Sequence, residues 1–432
     1  MIISRGENME NKLFTVAIIG CGGRGADSYG PLIYEDANHF KIVSLCDIRE
    51  TWLNRTAERF DVAKENTFLT EEEFFKEKRA DVLLIATPDT CHVRHALKAF
   101  ELGYHILLEK PITDKREECE ALLAAQQKAG TKALVCHVLR YAPAFLKVKE
   151  ILDSGKIGRL IAIDALERVG SWHQAHSYVR GNWRTTEQPC GSAPMILAKC
   201  CHDLDLLQYY IGSKCTSISS VGDLAFFKEE NAPKGSAKRC VDCTVEKDCP
   251  YSAKHIYLKL WDIQGNPEDQ WPFNIITNAP LTREKLEKAV KEGPYGRCVF
   301  HCDNNVVDHQ QTVMSFENGV KATLTMTAFT YGGGRRYTFY CTLGQMILDE
   351  FEGKIFVACY EQAPEIISLS DLTEKGYGHG GGDKGLISQL YDMLVGNSTQ
   401  TTSLEASVES HLMGICAEES RLKGGELIYI HK

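Results

Sequence analysis

Two groups of ionisable residues have types and spacing that could support proton transfer at a hydroxyl group. Glu109 and Lys110 follow the apolar run HILL at 105–108, and Pro111 comes directly after them. Lys110 could bond a substrate hydroxyl and stabilise a developing alkoxide charge, while Glu109 could hold the lysine in place. Further along the chain, His202 carries an imidazole, which ionises near neutral pH. The structural alternatives are a salt bridge at the end of a strand and a hydrogen-bonded core histidine.

The segment MILAKCCHDLDLLQYYIG at 195–212 predicts one helix that carries His202. Lys199, His202 and Asp205 recur every three residues along one face of this helix, opposite an apolar side. Lys199 is therefore a further candidate catalytic residue.

An apolar run at 13–19 leads directly into GCGGRG at 20–25, a G-x-G-x-x-G motif that opens a helix-compatible segment. The first glycine of such a motif makes a tight turn, the second lets the backbone approach a pyrophosphate, and the third lets helix and strand pack closely. Asp47 closes the second strand and should accept hydrogen bonds from the adenosine ribose, which favours NAD over NADP. Arg49 could soften that preference, and a glycine turn without a ligand is the alternative. The candidate cofactor residues of this region are Gly20, Gly22, Gly23, Arg24, Gly25 and Asp47.

The elements that must position these residues alternate along the first third of the chain. Apolar strand-like runs are separated by helix-compatible segments, which predicts βαβ units and a parallel, doubly wound sheet. A ligand lies across the carboxyl ends of the strands in such a sheet. Thr87 and Pro88 should therefore face the same crevice as Glu109, Lys110 and the glycine motif. The strand-like runs lie at 13–19, 40–47, 80–88, 104–109 and 131–137.

Composition limits the classes of function that the chain can have. The 432 residues are 44% hydrophobic and carry a net charge of −9, which argues against binding to nucleic acid or to an anionic membrane. No apolar run approaches the roughly 18–20 residues that span a bilayer. Residues 1–12 read as a loose leader without the apolar core of a signal peptide, and the 17 cysteines read as reduced thiols. We expect a cytoplasmic protein.

The glycine motif, Asp47, the segment ATPDTCHVRHALKAFELGYHILLEKPIT and the segment CHVLRYAPAF together resemble the Gfo/Idh/MocA family. This family includes glucose–fructose oxidoreductase and inositol dehydrogenase. The similarity runs through about 13–215 and resumes more loosely from about 303. It implies a Rossmann domain at 13–138 and a C-terminal α/β domain at 139–432. That second domain would be built on a large, mostly antiparallel sheet that binds substrate and forms a homodimer or homotetramer.

The resemblance also implies roles for individual residues. Arg140 would lie near the substrate, and His202 matches the family's general acid/base. The chain departs from the family pattern at Ala198, where relatives carry an aspartate that partners the histidine. The residues expected to contact the cofactor are Thr87, Pro88 and His92 on the nicotinamide side, Glu109 and Lys110 at the catalytic end, and Trp183 and Arg184 in a closing loop.

Residues 228–300 do not fit the family's usual sheet and read as an insertion. The segment RCVDCTVEKDC places Cys240, Cys243 and Cys249 in a C-x-x-C pattern with a third cysteine five residues later. A tetrahedral structural zinc needs four ligands, and Cys302 is a candidate for the fourth. The alternative fourth ligands are Cys298, His301 and His255. Reduced surface thiols, a redox disulfide or an iron–sulfur cluster are the other interpretations of these cysteines.

The resemblance implies an NAD-dependent oxidoreductase that transfers hydride between nicotinamide and a secondary hydroxyl of a sugar, glycoside or cyclitol. A redox-neutral NAD-dependent glycosidase and a non-catalytic dinucleotide sensor are the alternatives. The glycine-rich segment GYGHGGGDKG at 376–385 is either a substrate-binding loop or a flexible linker. The candidate ligands for a polyhydroxylated substrate are Arg140, His176, His379 and Asp383.

Overall fold

A computed structural model describes residues 12–187, 191–373, 378–397 and 402–431. Its first sheet has six parallel strands in the order β3–β2–β1–β4–β5–β6. Apart from Lys12, the predicted leader at 1–12 lies outside the described residues. The strands are β1 (Phe14–Ile19), β2 (Phe40–Cys46), β3 (Thr67–Phe68), β4 (Val82–Ile85), β5 (His105–Leu108) and β6 (Ala133–Val135).

The central strands of this sheet are apolar on both faces because helices cover both sides. All four residues of β4 are fully buried, and Gly23–Tyr29 forms a π-helical turn that leads from the glycine motif into the first α-helix. The helices that connect the strands confirm the predicted alternation. They are α1 (Gly30–Glu35), α2 (Glu50–Arg59), α3 (Glu71–Phe74), α4 (His92–Glu101) and α5 (Arg116–Ala129).

The second sheet has nine strands in the order β14–β13–β12–β11–β7–β10–β9–β8–β15. Its neighbours pair antiparallel, except that β7 pairs with β10 in parallel. Both predicted sheet types are thus confirmed. The strands are β7 (Leu160–Arg168), β8 (Cys215–Asp223), β9 (His309–Phe316), β10 (Lys321–Thr327), β11 (Gly334–Cys341), β12 (Gly344–Asp349), β13 (Lys354–Cys359), β14 (Glu365–Ser368) and β15 (Ile428–Tyr429).

The helices that pack on the second sheet include the segment that carries His202. The prediction of one continuous helix over 195–212 was wrong, because the backbone breaks at Lys199 and Cys200. This break separates the direction of the Lys199 side chain from that of His202. The helices of this region are α6 (Pro143–Asp153), α7 (Ser171–His173), α8 (Met195–Ala198) and α9 (Cys201–Ile211).

The predicted insertion lies between β8 and β9 and has a core of its own. Phe227, Tyr257 and Phe273 are fully buried in this core, and Ala175 and Val179 of the π-helical turn Gln174–Arg180 pack into it. The insertion is therefore fixed to the segment that follows β7. Its α-helices are short, namely α10 (Leu260–Ile263), α11 (Phe273–Ile276) and α12 (Arg283–Glu292).

Two C-terminal helices, α13 (Gly382–Val395) and α14 (Leu404–Leu422), return to the first sheet. Leu386 and Leu390 of α13 share a core with Val16, and Val408 of α14 packs into the core on the other face. The first domain is thus completed by the end of the chain. Within the described residues, no helix is long and apolar enough to cross a membrane.

Candidate active site

The glycine motif forms a turn that admits no side chain at two positions. A Cβ on Gly20, whose φ is +98°, would lie 2.4 Å from the carbonyl oxygen of Ala86 on the neighbouring strand end. A Cβ on Gly25 would lie 2.0 Å from the carbonyl oxygen of Gly20. At Gly23, in contrast, a Cβ would meet no atom within 4 Å. The turn is therefore tight on its protein side and open on the other, as a pyrophosphate cradle requires.

A second wall of this cradle is built by the end of β2. Asp47 is 6% exposed, and its carboxylate accepts hydrogen bonds from the backbone N–H groups of Cys21 and Arg49, both at 2.8 Å. The Arg49 guanidinium stacks 3.3 Å from the ring centre of Trp52, and that indole lies 3.2 Å from the Cβ position of Gly22. A carboxylate, a guanidinium and an indole beside a glycine turn fit the adenosine half of a dinucleotide.

Arg24 joins the glycine motif to the ends of two distant elements. Its Nε donates to Glu109 Oε1 at 2.7 Å, and its Nη2 donates to Asp383 Oδ1 at 2.9 Å. Tyr29 donates to the same Glu109 oxygen at 2.8 Å, and the other oxygen accepts from the backbone N–H of Lys110 at 2.9 Å. Burial would raise the pKa of Glu109, but the charges of Arg24 and Lys110 outweigh it and lower that pKa.

Lys110 of the first domain contacts the chain segment that leads to His202 in the second. The Lys110 ammonium lies 3.4 Å from the carbonyl oxygen of Ala198, four residues before His202. His202 is 7% exposed, and its buried Nδ1 has no hydrogen-bond partner among the described residues. Burial, together with the charges of Lys110 and Arg335, lowers the pKa of His202 well below its ordinary value. The imidazole is therefore neutral near pH 7 and can accept a proton.

Lys199, the third candidate catalytic residue, is engaged elsewhere. Its ammonium lies 3.1 Å from Glu167 Oε1, and Arg335 lies 3.1 Å from the other Glu167 oxygen and 3.0 Å from Asp203. Burial would raise the pKa of Glu167, but Arg335 and Lys199 outweigh it and lower that pKa. Burial raises the pKa of Asp203 to about 6. The positive charge of Lys199 thus stabilises the buried Glu167 carboxylate. The catalytic role of Lys199 stays a prediction.

The glycine-rich loop before α13 reaches the same cleft. The ring centre of His379 lies 6.3 Å from that of His202, and His379 Nδ1 lies 3.1 Å from Asp383 Oδ1. Burial would raise the pKa of Asp383, but contacts with His379 and Arg24 lower it below its ordinary value. Of the predicted substrate ligands, His379 is therefore brought to His202 and Asp383 to Arg24, while residues 374–377 of the loop lie outside the described ranges.

Sequence reasoning missed His137, which is fully buried. Its ring centre lies 5.8 Å from that of His202, and both of its ring nitrogens lack a hydrogen-bond partner among the described residues. His137 comes two residues after β6 ends, at the same sheet edge as Glu109. That strand-end position is the signal that would have identified it.

Three other predicted residues make structural contacts. His92 joins two strand ends, because its Nδ1 lies 2.7 Å from Pro111 O and its Nε2 lies 2.9 Å from Thr87 O. Arg140 is 6% exposed, and its guanidinium donates two hydrogen bonds, of 2.6 and 2.7 Å, to the Asp205 carboxylate. Pro88 stands at the end of β4, just before the short 3-10 turn Asp89–Cys91. The contacts of His92 and Arg140 favour positioning roles, and their direct contact with ligands stays a prediction.

The remaining predicted residues border the insertion. His176 is 2% exposed, its Nδ1 lies 2.7 Å from Tyr257 Oη, and its ring stacks on Tyr295. Arg184 binds Asp303 at 2.8 Å, whereas Trp183 is 41% exposed. His176 is thus part of the insertion core, and Trp183 is available to contact a ligand.

The cysteines of the insertion converge only in part as expected. Cys240, Cys243, Cys249 and Cys298 line one small cavity, whereas Cys302 Sγ lies 3.2 Å from the carbonyl oxygen of Cys298. Cys298, one of the alternative fourth ligands, thus lines this cavity and Cys302 does not, and the metal-binding role of these cysteines stays a prediction. Within the described residues, no three histidine, cysteine or acidic side chains already stand close enough together to hold a metal ion.

The fold and the cleft define a dinucleotide-binding α/β oxidoreductase with a two-domain architecture. Residues 14–137 match the model of the Gfo/Idh/MocA oxidoreductase family, NAD-binding Rossmann fold, and residues 145–246 match the model of a Gfo/Idh/MocA C-terminal domain. Together these two matches span just over half of the chain. The chain belongs to the Gfo/Idh/MocA family.

Individual relatives are distant in sequence. The oxidoreductase YteT of Bacillus subtilis is 22% identical over 381 residues, which cover 84% of each chain. The NADP-dependent scyllo-inositol 2-dehydrogenase IolW of Bacillus subtilis is 25% identical over 172 residues, which cover 40% of this chain and 45% of IolW. Among solved structures, a levoglucosan dehydrogenase with NADH and levoglucosan matches with a TM-score of 0.69 and 18% identity. That match covers 98% of this chain and all of the dehydrogenase, and it shows a shared fold.

Proposed function

We propose that this protein is an NAD-dependent dehydrogenase that acts on a secondary hydroxyl of a sugar, glycoside or cyclitol. One observation carries the proposal. Lys110, at the carboxyl edge of the Rossmann sheet, lies against the chain segment that carries the buried, neutral His202. A cation and a base on opposite sides of one cleft suit removal of a hydroxyl proton.

In this mechanism, His202 accepts the hydroxyl proton, since burial keeps its imidazole neutral. The Lys110 ammonium stabilises the negative charge that develops on the substrate oxygen. A bound nicotinamide supplies the acceptor for the hydrogen on the adjacent carbon. His379 and Asp383 orient the other hydroxyl groups of the substrate from the facing loop, and Glu109 fixes the backbone at Lys110.

The glycine turn and Asp47 support NAD as the cofactor, because a 2′-phosphate would meet the charge of Asp47. Gly20, Gly22, Gly23 and Gly25 would surround the pyrophosphate, and Arg24 would stand at its nicotinamide end. Trp183 and Arg184 are proposed to close over the cofactor from the second domain.

The substrate class rests on the family and on two relatives that are named for a cyclitol and for an anhydrosugar. The cleft adds histidine, carboxylate and ammonium groups, which suit a ligand with several hydroxyls. Ala198, which lacks the family's carboxylate beside His202, keeps a redox-neutral glycosidase as the second candidate. Such an enzyme would oxidise a ring carbon transiently and would release no NADH.

We also propose that the protein works in the cytoplasm as a homodimer or homotetramer formed through the outer face of the second sheet. Val313 and Tyr340 are 55% and 41% exposed on that face; Val313 is paired with Thr323, which is paired with Asp164, and the Tyr340 hydroxyl donates to Asp164 at 2.9 Å. An exposed apolar surface of this kind suits self-association. Light scattering should show the oligomer for the native protein and a smaller species for Val313→Asp.

The test is a turnover assay with NAD across inositols, aldoses, anhydrosugars and aryl glycosides. We expect NADH to accumulate with one of the first three classes and to be lost in Lys110→Met and His202→Asn. Lys115→Met is the matched control, because Lys115 is an exposed lysine paired with Glu118. Glycoside cleavage without NADH would support the redox-neutral alternative, and NAD binding without any turnover would support a sensor.

A further inference from the structure

Four cysteines from two distant parts of the insertion line a single small cavity. Cys240, Cys243 and Cys249 come from the C-x-x-C segment, and Cys298 comes from about fifty residues later in the chain. The backbone joins these two parts directly, because the N–H of Cys298 donates to the carbonyl oxygen of Lys238 at 2.9 Å. The fold therefore places the fourth thiol on the wall of the same cavity as the other three, although the thiols would have to move closer together to bind one ion.

We propose that Cys240, Cys243, Cys249 and Cys298 bind one zinc ion. Four thiolates in tetrahedral arrangement are a preferred coordination of structural zinc. The cavity has a volume of about 20 Å³, which is room for about one water-sized species. A single ion fits this volume. Zinc binding forms four Zn–S bonds and releases the four thiol protons to solvent.

Arg180 gives an independent indication that the cavity holds an anionic group. It is 1% exposed and also lines the cavity, and its Nη2 lies 3.7 Å from Cys240 Sγ. Its Nη1 is buried and has no hydrogen-bond partner among the described residues. A zinc ion with four thiolates carries a net charge of −2, which a buried guanidinium offsets.

The groups around the thiols leave the sulfur atoms available to a metal. The Glu246 carboxylate accepts a hydrogen bond from Ser252 and lies 3.2 Å from the Lys254 ammonium, so its charge is already neutralised. The backbone N–H of Ala253 points at Cys240 Sγ from 3.4 Å. Backbone donors to sulfur are the supporting contacts that metal-bound thiolates use.

The π-helical turn Gln174–Arg180 connects the proposed zinc site to the candidate active site. Arg180 ends the π-helical turn Gln174–Arg180, whose Ala175 and Val179 pack into the insertion core. His173 stands next to that turn. Burial is the main cause that lowers its pKa, and the charges of Lys199 and Lys110 lower it further, so His173 lies near both lysines. The zinc ion would thus hold the insertion onto the segment that forms one wall of the candidate active site.

The first test is elemental analysis of the full-length protein purified without chelator. We expect about one zinc per chain in the native protein and in Cys302→Ser, and a loss of zinc in Cys298→Ser. Cys302→Ser is the matched control, because Cys302 is four residues away and does not line the cavity. Iron in place of zinc, or zinc retained in Cys298→Ser and lost in Cys302→Ser, would overturn the proposal.

A second measurement does not depend on the folding of any variant. Native protein is stripped of metal with a chelator under reducing conditions and titrated with Co²⁺. We expect intense thiolate-to-cobalt absorption that saturates at about one equivalent and disappears when Zn²⁺ is added. Absence of that absorption, together with no Zn²⁺ uptake, would contradict the four-thiolate site.

Discussion

The cleft between the two domains and the insertion beside it are stabilised in different ways. In the cleft, charged groups neutralise one another, as Arg24 does with Glu109 and Asp383. In the insertion, four thiols and Arg180 line one small cavity, and the Nη1 of Arg180 has no hydrogen-bond partner among the described residues. The cleft thus has paired charges before any ligand binds, whereas the insertion has a thiol-lined cavity for which we propose a zinc ion.

The largest expected effect comes from removing the cation of the cleft. Lys110→Met should lower kcat by roughly 100- to 10,000-fold, because a positioned charge at the reacting oxygen is lost. NADH affinity should change little, since the glycine turn and Asp47 are untouched. Steady-state turnover and NADH fluorescence measure the two quantities. A Lys110→Met protein with near-native kcat would contradict the role assigned to this charge in the cleft.

Removing metal should affect the insertion first. Four of the five tryptophans lie in or beside the insertion, at 172, 183, 261 and 271, whereas Trp52 lies beside the glycine motif under Arg49. Chelation should therefore change tryptophan fluorescence and lower the melting temperature while NAD affinity stays within about twofold, since a structural zinc contributes folding free energy. Equal loss of NAD binding and insertion structure would show that the two regions are one unit.

Asp383→Asn tests the contact between the glycine motif and the C-terminal loop. At pH 7 the variant should be about 1–3 kcal/mol less stable to urea, because the partly buried Arg24 loses a charged partner. The Asp383 pKa is lowered in the folded protein, so its stabilising contribution is complete above the ordinary aspartate range and is lost progressively as pH falls from that range through the lowered pKa of the folded state.

The difference between native protein and Asp383→Asn should accordingly shrink at acid pH. Asp371→Asn serves as the control, since Asp371 is exposed in a 3-10 turn. A difference that is constant from neutral to acid pH would contradict the charge-based account of this contact.

The smallest expected effect concerns cofactor choice. Arg49 is about half exposed and sits over Trp52, where it would meet a 2′-phosphate. Arg49→Ala should weaken NADP binding by about tenfold or less and leave NAD binding nearly unchanged, because exposed charge contacts contribute about 1 kcal/mol. Fluorescence titration measures both affinities, with Arg55→Ala as the neighbouring control. Tighter NADP binding in Arg49→Ala would contradict the assigned position of the adenosine.

The parts of the fold that could be predicted are those with local periodicity. The apolar runs of β1, β2, β4, β5 and β6 all follow from patterns within a few residues. The return of α13 and α14 to the first sheet depends on packing between distant segments, which no local pattern encodes.

The candidate site likewise contains residues that the sequence predicts and pairings that it does not. Gly20, Asp47 and Lys110 stand at strand ends, so their shared edge follows from the parallel sheet. The pairing of Arg24 with Asp383 joins residues 359 positions apart, and the Lys199–Glu167 pair depends on a helix break. The choice of Cys298 over Cys302 depends on the irregular backbone of the insertion, where spacing alone leaves both open.

The most direct test of the central claim is a single-turnover measurement with protein in excess over an active polyol. The native protein loaded with NAD should form one NADH for each polyol molecule consumed, and Lys110→Met should bind NAD yet form none. A native protein that retains NAD without any absorbance change across all the polyols, or a Lys110→Met variant with native turnover, would contradict the assignment of this cleft as a dehydrogenase active site.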